Sequence, residues 1–289
     1  MGLAPSVMSK IREHFTTHDS MTQPGPFGSL YERLPVDVSL LRDIVSRLIV
    51  HVSCADQYGI PAGMSRPRET QSISARLQLI QRSFDGPLEA LRPPHKRTFG
   101  TCRDYSLLLC SILRHRAIPA RVRCGFATYF SSTPFQDHWV CEYWSTTGQR
   151  WRRVDAQIDE MQQRDLGIAF DLTDLPNDAY LTAAQAWKLV RSGGADPDDF
   201  GHGDARGLWF MNVNLHRDLL ALANRHVSVW DTWRSATTGS KRLDDADMAL
   251  GDQIAMSVER AEQSEDGFSR LGESIPLTKN PPWIDALSS

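Results

Sequence analysis

Apolar positions Leu40, Leu41, Ile44, Leu48 and Ile49 recur at three- and four-residue steps after Asp37-Val38-Ser39, the spacing of one helix face behind a capping start. Ile73, Leu77, Leu79, Ile80 and Phe84 predict a second helix, which Leu91-Arg92-Pro93-Pro94 breaks off. From Cys102 to His115, Leu108 stacks with Ile112 and Leu109 with Leu113. Asp104 stands in the first turn, basic residues in the last, and Pro119 just beyond, so a buried helix with both ends marked is predicted. Residues 120 to 130 then alternate, with Val122, Cys124 and Phe126 on one side and Arg121 and Arg123 on the other, as in a strand. Two more strands, 138 to 145 and 150 to 158, are joined by Thr147-Gly148, read as a two-residue hairpin turn. A helix followed by an antiparallel meander is an α+β arrangement.

Past residue 160 the pattern weakens. Asp165 to Asp178 reads as loop, Leu181 to Arg191 as a helix ended by Gly193-Gly194, Leu215 to Trp230 as one or two helices, and Asp245 to Ala261 as another before a tail carrying Pro281-Pro282-Trp283. The expected organisation is a helical region over 1–94, a core over 95–160 and a mostly helical extension over 161–289, without internal repeats.

Composition acts by exclusion. The 289 residues suit one large domain or one with appendages, and 41% apolar with 23% charged residues excludes a disordered or fibrous chain. The longest apolar runs, 107–113 and 48–52, are too short to cross a bilayer, and no leader is read at the start, so a cytoplasmic protein without membrane partners is expected. A formal net charge of -3 provides no global field for nucleic acid. Five cysteines without a C-x-x-C pair fit neither a zinc ribbon nor a disulfide framework, so reduced thiols are expected. The opening Met-Gly-Leu-Ala-Pro-Ser matches the short myristoylation pattern at Gly2, which means little by itself.

Four cysteines have bland positions: Cys110 inside the apolar helix face, Cys124 and Cys141 within strands, and Cys54 at the end of an early helix. Cys102 differs. It follows Gly100-Thr101 at a helix start, where unpaired N–H groups and the dipole favour a thiolate and can hold the oxyanion of a tetrahedral intermediate. A nucleophilic thiol needs a base, and the base an orienting partner. With Thr147-Gly148 as the turn, facing residue numbers sum to 295, so His138 faces Gln157, Val140 faces Asp155, and His138 and Asp155 are diagonal neighbours on one face. A longer loop would shift that register and offer Asp137 or Asp159 instead.

These residues resemble a known family. Gly100-Thr101-Cys102-Arg103-Asp104-Tyr105, then Leu113-Arg114 with Ala117-Ile118-Pro119-Ala120-Arg121, the strand to Gly125-Phe126, Asp137-His138-Trp139-Val140, and Trp151 to Asp155 together are similar to the transglutaminase-like core. His138 follows Cys102 by 36 residues and Asp155 follows His138 by 17, in the family's order. The resemblance implies a papain-like α+β fold, its nucleophile helix packed on an antiparallel sheet, with Cys102 as nucleophile, His138 as acid/base and Asp155 as its orienter. Ala156 departs from the Asp-Pro pair of many members, and only the Cys102 N–H offers itself as oxyanion donor. The stretch from Asp178 to Trp233, with GLWFMNVNLHRDL, resembles the C-terminal part of some bacterial members.

Acyl transfer from a peptide, protein or small amide to water or an amine acceptor is therefore the expected chemistry, with no cofactor and no metal. An arylamine acetyltransferase shares the triad order and similar length, but its cysteine lies nearer the N-terminus in a Gly-Gly context. A silent scaffold that kept the core is the remaining alternative. Elsewhere, Arg121, Arg123, Arg150, Arg152 and Arg153 are expected to form a solvated face paired with carboxylates, and Trp139, Trp144 and Trp151 to pack the core. His202 and His216 lack metal-ligand spacing, and Gly193-Gly194 and Gly201-His202-Gly203 lack the strand-to-helix context of a phosphate loop.

Overall fold

Residues 7–61, 72–130, 133–225 and 242–274 are described in a computed structural model of the chain, with side chains from residue 10. The Gly2 pattern, the end of the expected 215–230 helix and the Pro281-Pro282-Trp283 tail lie outside them. The fold is mixed α+β and divides into two compact units. The first comprises 15–122 and 140–175; the second comprises 1–14, 123–139 and 176–289. Strands β3 (Ala120–Ala127) and β4 (Phe135–Ser145) each run from one unit into the other.

In the first unit, α2 (Val38–Ser46) follows a short α1 (Val7–His14) of the second unit in chain order and starts at Asp37, whose carboxylate accepts the Leu40 N–H. The helix stops before Leu48. The expected helical stripe instead becomes β1 (Ile49–His51), which pairs in parallel with β2 (Thr98–Gly100), Val50 opposite Phe99. Leu48, Ile49 and Val50 are all buried, and a short apolar run buried all round does not distinguish strand from helix by period. A parallel pair requires a crossover, and α3 (Ile73–Ser83), capped by Ser72, lies within it. Cys54, expected at a helix end, lies in the 3₁₀ segment Val52–Tyr58.

Helix α4 (Cys102–His115) has the expected ends, and every residue from Cys102 to Arg114 is buried. The β4 end pairs with β5 (Arg150–Val154), from Cys141 opposite Val154 to Ser145 opposite Arg150. The expected register holds over this stretch, where the numbers sum to 295. Strand β5, though, ends at Val154 and not at the expected 158, because Asp155 caps a turn there; the ladder therefore stops before the expected Val140–Asp155 and His138–Gln157 pairs. The loop, however, has four residues, 146–149, with Gln149 left-handed at φ 47°; lengthening the turn by one residue on each side leaves the register unchanged. Arg121 and Arg153 both bind Glu142, and Arg121 lies over the Trp151 ring at 4.2 Å.

In the second unit the strands run in the order β6 (Tyr180–Thr182), β3, β4, β7 (Phe200–His202), β8 (Ala205–Arg206). The sheet is mixed rather than wholly antiparallel, because β7 pairs in parallel with β4, Phe135 opposite Phe200. Gly125 lets β6 approach: a Cβ there would lie 2.1 Å from the Leu181 carbonyl oxygen. After α5 (Glu160–Asp165) of the first unit, α6 (Ala183–Arg191) begins two residues later than expected, since 180–182 join the sheet. Helix α7 (Leu208–Leu222) begins well before Leu215, opened by Gly207 at φ 90° without a side-chain cap, which is why no start signal is legible there.

Helices α6 and α7 pack with α8 (Asp245–Gln263), which is followed by α9 (Glu265–Ser269) and α10 (Leu271–Ser274). The expected solvated arginine face holds at Arg150, which pairs with Asp174, but not at Arg121 and Arg123, which are buried. Arg123 is wholly buried and makes two bonds to Asp218 of α7, at 2.9 and 2.8 Å, plus one to Glu262. Asp218 also accepts the Cys124 N–H at 3.0 Å. Burial pushes its carboxyl above the ordinary range, while the Arg123 charge and both sets of hydrogen bonds pull the other way.

Candidate active site

Cys102 opens α4 at 8% exposure, and a linked set of buried groups fixes the turn in front of it. Thr101 is the extended N-cap, and its N–H donates to Asp104 Oδ2 at 2.8 Å. Asp104 Oδ1 is paired at 2.7 Å with Arg76, a fully buried residue of α3 that also donates to the Phe99 carbonyl. Gly100 makes this closeness possible: a Cβ there would meet Asp104 Oδ2 at 2.8 Å and Ile49 Cγ2 at 3.0 Å. The motif Gly-Thr-Cys-Arg-Asp is thus a steric and capping unit before it is a chemical one. The Cys102 carbonyl takes the Ser106 hydroxyl at 3.0 Å, and the Cys102 N–H belongs to the first turn of the helix, where backbone donors have no intrahelical acceptor.

Asp155, in the same unit, stands just past β5 and is wholly buried. Its Oδ1 accepts the Gln157 N–H at 2.8 Å and, more weakly, the Ile158 N–H at 3.4 Å, closing a side-chain-capped turn. Its own N–H donates to the Leu172 carbonyl and its carbonyl accepts Arg42 Nε at 3.0 Å. His138 belongs to the second unit, on β4, at 2% exposure. The Tyr180 hydroxyl donates to its carbonyl at 3.4 Å, and its ring meets Phe130 edge-on at 5.0 Å and Tyr129 at 6.0 Å.

The two alternative carboxylates have structural occupations. Asp137 accepts Asn214 Nδ2 at 2.8 Å, and Asp159 caps α5 through the Met161 and Gln162 N–H groups while taking the Tyr58 hydroxyl at 2.7 Å. All five cysteines are unbridged. Burial pushes the Cys141 thiol well above its ordinary range, and its hydrogen bond with Cys110 adds to that. Burial likewise raises Cys54. Among the described residues no group of three or more His, Cys, Asp or Glu side chains is placed to hold a metal ion, and no helix is long and apolar enough to cross a membrane.

Sequence reasoning missed Arg76, Arg42, Tyr180 and Asn214. The first two carried a signal: Arg76 interrupts the buried stripe Ile73, Leu77, Ile80, and Arg42 sits beside Leu41 and Val45, each a charge on an apolar face.

Cys102 thus opens a buried helix of an α+β fold, and the β4–β5 hairpin follows it in the chain. Residues 71–156 match the model of the transglutaminase-like superfamily. The match takes in α3, α4 and β3 to β5 and ends one residue past Asp155. Among solved structures, a proposed cysteine protease from Cytophaga hutchinsonii is 18% identical over 54% of this chain and 43% of that one, with a TM-score of 0.33. The chain thus spans less than half the length of that structure. Comparison with curated proteins gives no match. The match over that stretch supports a cysteine-dependent hydrolase or transferase in general terms.

Proposed function

We propose that the protein transfers an acyl group from a carboxamide or peptide carbonyl to water or an amine through a thioester on Cys102. His138 removes the thiol proton, and Cys102 Sγ forms a bond to the carbonyl carbon while the carbonyl electron pair moves onto oxygen. The oxyanion is met by the Cys102 N–H at the start of α4. Collapse of that intermediate breaks the C–N bond, and the departing amine or ammonia takes its proton from the His138 imidazolium. Water or an amine then attacks the thioester, gives its proton to His138, and expels the Cys102 thiolate. Asp155 keeps the imidazole in the working tautomer throughout.

The observation that carries this reading is the coincidence of the superfamily match, 71–156, with a stretch in which Cys102 heads its helix and the hairpin keeps the register that leads to Asp155. Iodoacetamide tests it. Alkylation of the folded protein at about pH 6, where an ordinary thiol is more than 99% protonated, is expected to fall selectively on Cys102. Equal, slow labelling of all five cysteines would count for a catalytically silent scaffold.

A further inference from the structure

We infer that Arg42 is a positioning residue for Asp155, holding from outside the turn that the Asp155 carboxylate caps from within. The inference rests on the proposed function but concerns a residue that neither the motif nor the matched stretch contains. Arg42 lies on α2 at 7% exposure, 113 residues before Asp155 in the chain. Its Nε donates to the Asp155 carbonyl at 3.0 Å, and one terminal nitrogen donates to the Ile158 carbonyl. The other terminal nitrogen is paired with Asp43 at 2.6 Å, which offsets its charge.

The two carbonyls bound by the guanidinium are the first and last of residues 155–158. The Asp155 Oδ1 contacts, to the N–H groups of Gln157 and Ile158, lie inside the same turn. One side chain therefore fixes the backbone of the turn, and that backbone fixes the carboxylate plane through Oδ1, so the direction of the second carboxylate oxygen follows from where Arg42 holds the chain. Only the planar fork of arginine spans two carbonyls while keeping a third arm for a carboxylate; a lysine ammonium reaches one of them as a point charge. A purely structural demand would be met as well by an apolar side chain of similar volume with the carbonyls turned elsewhere. The deep burial of a guanidinium on this one turn is the signature of a fixed direction.

The test is a double-mutant cycle read by the alkylation rate of Cys102 with iodoacetamide across pH. Arg42→Met is expected to slow alkylation near pH 6 on the order of tenfold and to alter the acidic limb of the rate profile, as is expected of Asp155→Asn alone. The double variant is expected to be no slower than Asp155→Asn, because Arg42 acts only through that carboxylate. Arg42→Lys should recover part of the rate, and it provides the comparison should Arg42→Met not fold. An unshifted profile in Arg42→Met (or in Arg42→Lys, if only that folds), or effects of the two sites that multiply, overturns the inference and leaves the proposed function standing. Failure of Cys102 to label selectively in the unaltered protein overturns the proposed function itself.

Discussion

Cys102→Ala is expected to abolish ammonia release from glutamine-containing peptides, a loss of roughly 10⁴-fold or more, since a missing nucleophile leaves only binding and oxyanion contacts. Cys110→Ala and Cys124→Ala are expected to keep their turnover. Both residues are wholly buried within an apolar helix and a strand, and each substitution removes a small side chain, with the Cys141 hydrogen bond in the case of Cys110. Ammonia measured against time under saturating peptide separates the cases. Persisting turnover in Cys102→Ala would exclude the thioester route, whereas loss in all three variants with cooperative unfolding intact would assign the chemistry elsewhere.

The second large effect concerns stability. Asp218→Ala strips the Arg123 guanidinium, at 0% exposure, of the carboxylate that holds it by two bonds, and it also takes away the acceptor for the Cys124 N–H. A buried pair broken on one side costs about 3–5 kcal/mol, because the remaining charge keeps its desolvation penalty and loses its partner. Replacing both members, as in Arg123→Met with Asp218→Leu, is expected to cost less, since no charge is then left fully buried and Glu262, at 26% side-chain exposure, keeps access to water. Urea unfolding of the two proteins at neutral pH checks the contrast. Equal losses in the single and double variants would show that packing volume, not the stranded charge, sets the cost.

These predictions draw on features that were unequally legible in the sequence. Helix α4 was readable to the residue, because a capping threonine, an acidic first turn, basic last turn and a following proline all act locally. The hairpin register was also readable, since strand pairing depends on the midpoint of the turn and tolerates the four-residue loop. The strand character of Ile49 and Val50 was not, because it comes from Thr98 and Phe99, about fifty residues away. Nor was the burial of Arg123, which alternation placed correctly on the face opposite Val122 but which only the carboxylate of α7, 95 residues on, makes tolerable in the interior.

The candidate site divides in the same way. Cys102 stood out through its local setting, whereas Asp155, picked out by an expected facing pair, lies just past the ladder in a turn. The groups that hold them in place, Arg76 on α3 and Arg42 on α2, are contributed from distant sequence, visible beforehand only as charges on apolar helix faces. The chain also leaves the first unit within β3 and returns to it within β4, so the two compact units cut across the sequential regions that composition suggests. Periodicity reports which face of an element is buried and is blind to which unit buries it.

Mass spectrometry of the acid-quenched protein during turnover of a short glutamine-containing peptide tests the central claim most directly. The account predicts an acyl adduct on the peptide bearing Cys102, labile to hydroxylamine as a thioester is and missing from Cys102→Ala. Turnover with Cys102 unmodified, or an adduct carried by another residue, would contradict it.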